Sequence, residues 1–355
     1  MTDPTDDHIL FERRGALGLV TLNRPRQLNA LTQDMALRME DALRLWAQED
    51  GVAVVAIVGA GDRAFCAGGD IKAIYEVGQE RGLESWRFYG DEYRMNALIH
   101  EYPKPYVAFM DGVTMGGGAG VSVHGSHRIA GDRTLFAMPE CGIGLFPDVG
   151  ASWFLPRLPG ETGMWMALTG ARLGPADAVA AGLCDLFIPS SAQADALTAL
   201  AKAEYGSSPY ADVDRVLAGF AAEPGAGDWP ALRPAIDRCF AGDSVEDALA
   251  ALRAEGSDWA RAQLAELAQK SPTSLRLTFR EMRDGRLLSF RDCMRLEYAL
   301  ARFCLTRPDF YEGTRAAVID KGSRPVWSPA TLGEVTPATV AEAFAPLPPG
   351  LDLKF

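Results

Sequence analysis

The sequence predicts an α/β protein whose second half is helical. Three observations predict it. Residues 52–58 (VAVVAIV) and 105–110 (PYVAFM) are continuous apolar runs of the kind found in strands buried on both faces of a sheet. Up to about residue 190 such runs alternate with amphipathic helical segments, the rhythm of an α/β core. Beyond that point helical patterns follow one another without a strand between them. The 355 residues are therefore divided into an α/β core over 1–190 and a helical C-terminal extension over 191–355, the latter expected to cover the site.

In chain order, residues 16–22 read as a strand that stops at the turn signal Asn23-Arg24-Pro25. Residues 31–47 form an amphipathic helix with Met35, Met39, Leu43 and Trp46 on one face. The strand over 52–58 closes in Gly59-Ala60-Gly61-Asp62, and AFCAGGD (64–70) is a glycine loop after a second short strand. A helix over 85–99 precedes the strand over 105–110, which runs into a triple glycine, Gly116 to Gly118. Residues 120–125 (GVSVHG) read as the start of the next helix. In the extension, residues 192–205, 244–255, 258–269, 274–282 and 290–305 read as helices, with Ser271-Pro272 a helix start. The Gly/Pro-rich stretch over 221–234 is an exposed connection, and the proline-rich tail after Lys321 is an extended wrap. No repeat shows self-similarity in sequence.

Composition narrows the function. A net charge of −12 argues against a nucleic-acid surface, which needs clustered Lys and Arg. No apolar run approaches the roughly 20 residues of a membrane span. The start, MTDPTDDHILFERRG, has neither the apolar core of a signal peptide nor the acid-poor character of a transit peptide. Six scattered cysteines without a CxxC fit buried reduced thiols. Together these features predict a cytoplasmic protein. The four histidines have no metal-ligand spacing, and neither GxGxxG nor GxxxxGK[ST] occurs, so no metal, redox or nucleotide cofactor is expected.

The chemistry is concentrated between Met115 and Gly150. The triple glycine and AFCAGGD each end a buried strand, and each frees a backbone N–H to approach a ligand. Two such donors aimed at one oxygen are what acyl chemistry requires. Glu140 and Asp148 follow, set among Met138, Ile143, Leu145 and Phe146. Burial there would raise a carboxyl pKa and suit acid–base work. The plainer alternatives are a surface role for Glu140 and helix capping by Asp148, ahead of the helix-like ASWFLPRL. Ser122 and His124 imitate a nucleophile elbow, but GVSVH lacks the closing glycine of GxSxG. His124 and His127 read as a packing pair at a helix end. Glu92, within GDEYRMN, would by default be a solvated residue on its helix.

On these motifs the chain resembles the crotonase (enoyl-CoA hydratase/isomerase) superfamily. GLVTLNRPRQLNAL, AFCAGGDIKAI, PYVAFMDGVTMGGGAG and FAMPECGIGLFPDVGASWFLPRL carry that resemblance over about residues 10–190. GDEYRMN, ALTGARL, SPTSLRLTFREM, EYALARF, FYEGTRAAVIDK and the closing DLKF resemble its thioester-hydrolase branch, which extends the likeness to nearly the whole chain. The resemblance implies a crotonase-like spiral of ββα units and an acyl-CoA substrate. It places two oxyanion N–H groups on Gly69 and Gly117, catalytic acids at Glu140 and Asp148, a substrate contact at Glu92 and a CoA contact at Arg26. Assembly into a homo-oligomer is compatible with it.

One departure separates the activities within the superfamily. Hydratases carry a second glutamate three residues after the middle loop glycine, and certain isomerases carry an aspartate there. This chain has Gly120. The resemblance therefore implies hydrolysis of a short branched 3-hydroxyacyl thioester. Glu140 either activates water or attacks the thioester. The alternatives are a hydratase or isomerase working through Glu140 alone, and a non-catalytic scaffold with a CoA-binding fold.

Overall fold

The computed structural model of the chain describes residues 7–355. Strands β1 (Ile9–Arg14) and β2 (Leu17–Leu22) pair antiparallel around a turn at Gly15, whose φ of 59° is the left-handed value such turns use. Helix α1 (Gln33–Gln48) is capped by Thr32, whose side chain accepts the Met35 N–H at 3.2 Å. Its Met35, Met39, Leu43 and Trp46 are all buried, as their spacing predicts. There follow β3 (Val54–Gly59), β4 (Ala64–Cys66), α2 (Ile71–Arg81), α3 (Trp86–His100), β5 (Tyr106–Met110), β6 (Val113–Met115) and α4 (Gly117–Gly120). Then come β7 (His127–Ala130), β8 (Leu135–Ala137), α5 (Ala151–Phe154), α6 (Thr162–Thr169), α7 (Pro175–Ala180) and β9 (Leu186–Phe187). The rest is helical: α8 (Gln193–Lys202), α9 (Pro209–Ala218), α10 (Trp229–Phe240), α11 (Val245–Glu255) and α12 (Asp258–Leu267), then α13 (Pro272–Gly285), α14 (Phe290–Leu305), α15 (Pro308–Thr314) and α16 (Pro337–Ala343).

Two sheets run in step. The larger has the order β1-β2-β3-β5-β7-β9, parallel from β2 onward, and the smaller has the order β4-β6-β8. Strands β3, β5 and β7 of the first are each followed in sequence by β4, β6 and β8 of the second. Each pass adds one strand to both sheets, which is the ββα repeat of the α/β fold expected. The repeat is geometric, and the sequence hides it because the small-sheet strands are three residues long.

The chain divides into two compact units. The first runs through Gly69 and includes residues 94–136 and 173–229; the second holds residues 70–93, 137–172 and 230–355. In the first, alternate residues of the large sheet (Leu17 and Leu19, Val54 and Ala56, Val107 and Phe109) pack against Ala196, Leu200, Val213 and Leu217 of α8 and α9. In the second, α6 is buried along its whole length and packs on α13, which also meets α5.

Three expectations differ from the structure. The helix expected from residue 120 instead begins at Gly117 and lasts one turn. The stretch over 221–234 contains the start of α10, and the tail carries α16. Proline misleads here because it is tolerated in the first helical turn, where its missing N–H has no intrahelical partner: Pro230 is the second residue of α10 and Pro337 the first of α16.

Candidate functional site

The first unit holds the glycine loops. β4 and β6 are parallel neighbours with Ala64 beside Val113, so the loops after them leave the sheet on the same side. A Cβ added to Gly68, whose φ is 114°, would lie 3.3 Å from the Met115 carbonyl oxygen and 3.7 Å from the Gly117 nitrogen. At Gly118 it would lie 2.1 Å from the Cys66 carbonyl oxygen, which admits no side chain at all. Gly69 and Gly117 thus belong to adjacent loops. The four-residue α4 is too short to supply a useful dipole, so any anion binding there rests on individual N–H groups.

A third segment borders these loops. Ala67 N–H donates to the Leu28 carbonyl at 3.0 Å, and Leu31 N–H to the Gly68 carbonyl at 2.8 Å. Leu28 and Asn29 both have left-handed φ values, 52° and 57°. Buried Asn29 holds the turn: its amide donates to the Ala60 and Ala64 carbonyls at 2.9 Å each, and its oxygen accepts the Arg24 N–H. Arg26 sits exposed on the short 3-10 turn Pro25–Gln27 of this segment.

The second unit holds the acids. Glu140 opens a 3-10 turn, Glu140–Ile143, that ends in left-handed Gly144. A Cβ on Gly144 would come within 2.3 Å of the Asp309 backbone, so the turn is fitted closely to α15. Asp148 lies in the loop before α5, and Glu92 lies on the part of α3 in this unit. All three are buried, so Glu140 is no surface residue and Glu92, 2% exposed, is no solvated helix residue. Asp148 does not cap α5, whose N-cap is Gly150. Its Oδ2 instead accepts the Tyr93 hydroxyl at 2.8 Å.

The electrostatics follow from that burial. It drives the Glu140 carboxyl well above its ordinary range, and nearby Asp148 adds to the effect. Glu92 is raised in the same way by burial, then by Asp148 and Glu140. Asp148 is raised by burial but held back by the Tyr93 hydrogen bond. A backbone hydrogen bond pulls Glu140 the same way, against the rise from burial and Asp148. Glu140 Oε2 and Glu92 Oε1 are buried without a hydrogen-bond partner in the protein. Both Glu281 carboxyl oxygens are buried without one as well, and an oxygen in this state is open to a bound polar group.

Sequence reasoning missed four side chains of this cluster. Tyr93, Glu281 and Glu297 lie within the motifs GDEYRMN, SPTSLRLTFREM and EYALARF, and Tyr89 lies just before the first of these. The elbow candidate does not form: the Ser122 hydroxyl bonds back to the Gly118 carbonyl at 2.6 Å, while the His124 ring faces His100. His127 is in β7, with Nδ1 2.8 Å from the Ser126 hydroxyl and Nε2 3.2 Å from Asp214, and is not paired with His124. All six cysteines are buried, and none is in a disulfide.

The profile of the enoyl-CoA hydratase/isomerase family matches residues 17–344. The chain belongs to this family. Among its relatives, the mitochondrial 3-hydroxyisobutyryl-CoA hydrolase of Danio rerio is 43% identical over 98% of this chain and 92% of its own length. The Homo sapiens mitochondrial 3-hydroxyisobutyryl-CoA hydrolase is 39% identical over 100% of this chain and 93% of its own. A crystal structure of a carnitinyl-CoA dehydratase from Mycobacterium thermoresistibile has a TM-score of 0.91 and 42% identity, covering 99% of both chains. The cytoplasmic expectation does not stand, because the curated hydrolase relatives are mitochondrial. Buried free thiols do not separate one reducing compartment from another. Among the described residues no helix is long and apolar enough to cross a membrane.

Proposed function

We propose that this member of the enoyl-CoA hydratase/isomerase family hydrolyses 3-hydroxyisobutyryl-CoA to 3-hydroxyisobutyrate and free CoA, a step of valine breakdown. Near-full-length identity to curated hydrolases of that name supports the substrate. Glu140 carries the chemical argument: a buried carboxyl with a raised pKa and an oxygen that no protein group satisfies.

In this reading the N–H groups of Gly69 and Gly117 hold the thioester oxygen as it becomes an oxyanion. Glu140, as carboxylate, takes a proton from water, and the hydroxide adds to the carbonyl carbon. The C–S bond breaks, and the departing thiolate recovers the proton from Glu140. In the covalent version Glu140 itself displaces the thiolate, and water opens the resulting mixed anhydride. Asp148 keeps a charge beside Tyr93 and manages protons. Glu92, held neutral by burial, both donates to and accepts from the substrate 3-hydroxyl. Arg26 serves the CoA nucleotide. Residues 191–355 act as the extension that completes the acyl site. The scheme requires no metal, redox group, nucleic acid or membrane, and it allows a homo-oligomer.

The carnitinyl-CoA dehydratase likeness favours a second reading, loss or addition of water at an acyl chain. Gly120 stands against it, because no acid is present where hydratases place their second one. Free thiol decides between them. The hydrolase releases one CoA thiol per acyl chain; a hydratase or dehydratase changes enone absorbance without releasing thiol; a scaffold does neither. No thiol release from 3-hydroxyisobutyryl-CoA or its near analogues would sink the hydrolase reading.

A further inference from the structure

EYALARF, residues 297–303, belongs to the thioester-hydrolase resemblance, yet the reaction above gives it no task. It lies on α14, and Glu297 is fully buried there. Glu297 Oε2 accepts the Gly150 N–H at 2.7 Å, while Oε1 accepts the Ser152 N–H at 3.0 Å and the Ser152 hydroxyl at 2.5 Å. These donors lie at the start of α5. The first N–H groups of a helix need an acceptor, usually the side chain of the N-cap residue. Here the N-cap is Gly150, which has none, and a carboxylate 145 to 147 residues further along the chain replaces it.

The residue just before the clamp explains why it matters. Val149 has φ 55° and Gly150 has φ 88°. A β-branched residue in the left-handed region is an outlier that persists only when its surroundings fix it. Val149 links the clamped Gly150 to Asp148. The turn therefore sets the direction of the Asp148 carboxylate, and the clamp holds the turn.

We infer that Glu297 is a positioning residue for Asp148: from α14 it fixes the turn Val149–Gly150 and so keeps the Asp148 carboxylate on the Tyr93 hydroxyl. The inference rests on the role given to Asp148 in the proposed hydrolysis. Burial pushes Glu297 up to about 8, against the pull of the hydrogen bonds it accepts. The other titratable groups around it are Asp148, Tyr93, Glu281 and Cys293.

Glu297→Gln tests this. The amide oxygen can keep Ser152, but the amide nitrogen then meets the Gly150 N–H donor to donor, so the end nearest Asp148 loosens. Wild type, Glu297→Gln, Asp148→Asn and the double variant are compared for kcat, KM, folding and the 13C titration of the Asp148 carboxyl. Glu297→Gln is expected to lower kcat by up to about 10²-fold, the scale of a misplaced catalytic group, with KM and folding little changed. The double variant should be no slower than Asp148→Asn alone, because both changes remove one function. The Asp148 titration should move upward as its hold on Tyr93 weakens. A kcat loss that multiplies with that of Asp148→Asn, or that merely tracks loss of folded protein, overturns the inference. So does an Asp148→Asn variant with wild-type kcat. If Glu297→Gln does not fold, Ser152→Ala removes one clamp bond and should show a smaller loss with the same non-additivity. A wild type that releases no thiol sinks the hydrolase reading alone; the inference is then decided by the titration, and an unmoved Asp148 overturns it.

Discussion

The Tyr93 hydroxyl donates a 2.8 Å hydrogen bond to Asp148 Oδ2, and both residues are buried. That bond separates Asp148 from its two acidic neighbours. Burial raises all three carboxyls, but Asp148 receives a donor, while Glu92 Oε1 and Glu140 Oε2 have none from the protein. Hydrogen bonding to the charged form favours that form, so the Tyr93 bond works against the rise that burial imposes on Asp148.

Removing that donor has a signed consequence. Tyr93→Phe takes away a bond that lowers the Asp148 pKa, so the pKa rises. If turnover needs Asp148 charged, the acid limb of the kcat profile moves to higher pH while the folded content stays near wild type. Thiol release measured from pH 5 to 9 checks this. An acid limb that stays in place in folded Tyr93→Phe would separate Asp148 ionisation from turnover.

Glu140→Gln should reduce turnover by about 10²–10⁴-fold, the range for loss of a general acid–base group, with the fold retained. It also carries a stability signature. A carboxyl whose pKa is raised in the folded state binds a proton that the unfolded chain has released. Its stabilising contribution is full below the unfolded value of about 4.3 and is lost as pH rises through the folded value. The glutamine keeps the shape and cannot ionise, so its Tm should fall less steeply with rising pH than that of wild type. Paired melting curves and thiol assays give both numbers, and a folded variant with near wild-type turnover removes Glu140 from the chemistry.

These residues were unevenly legible in the sequence. Strands β3 and β5 show because double-sided burial makes each a continuous apolar run. Glu140 and Asp148 show because their sequence neighbours are apolar. Glu92 did not, because what buries its helix comes from far along the chain: Tyr298 of α14 stacks on Trp86 at 4.1 Å between ring centroids and accepts its indole N–H through the backbone carbonyl. No periodicity within α3 records that contact. Glu297 was hidden for the same reason, since its partners lie 145 to 147 residues away.

An acid at position 120 probes the line between hydrolase and hydratase. Gly120 is buried within α4. Gly120→Glu should cut hydrolysis, because it brings a second carboxyl and its bulk to the position where hydratases use one. Trace hydration of a 2-enoyl-CoA is the expected gain. Thiol release and enone absorbance on the same preparation check both, and hydrolysis at the wild-type rate would mean that Gly120 does not line the reacting centre.

Neighbouring glycines of the triple-glycine loop should fail in different ways. A Cβ on Gly118 would lie 2.1 Å from the Cys66 carbonyl oxygen, so Gly118→Ala must push β4 and α4 apart and should lose folded protein. Gly117 opens α4 and is not among the left-handed glycines, so backbone strain gives no reason for glycine there. If its N–H holds the oxyanion, a branched side chain keeps the thioester oxygen from reaching it. Gly117→Val should then cost turnover by about 10²–10³-fold, as when one oxyanion donor is lost, while much of the protein still folds. If Gly117 only shapes the turn, activity falls in proportion to folded protein. Specific activity per folded molecule, with folded content read by circular dichroism, separates the outcomes. A folded Gly117→Val variant with full specific activity would remove Gly117 from the mechanism, and with it the paired role of Gly69.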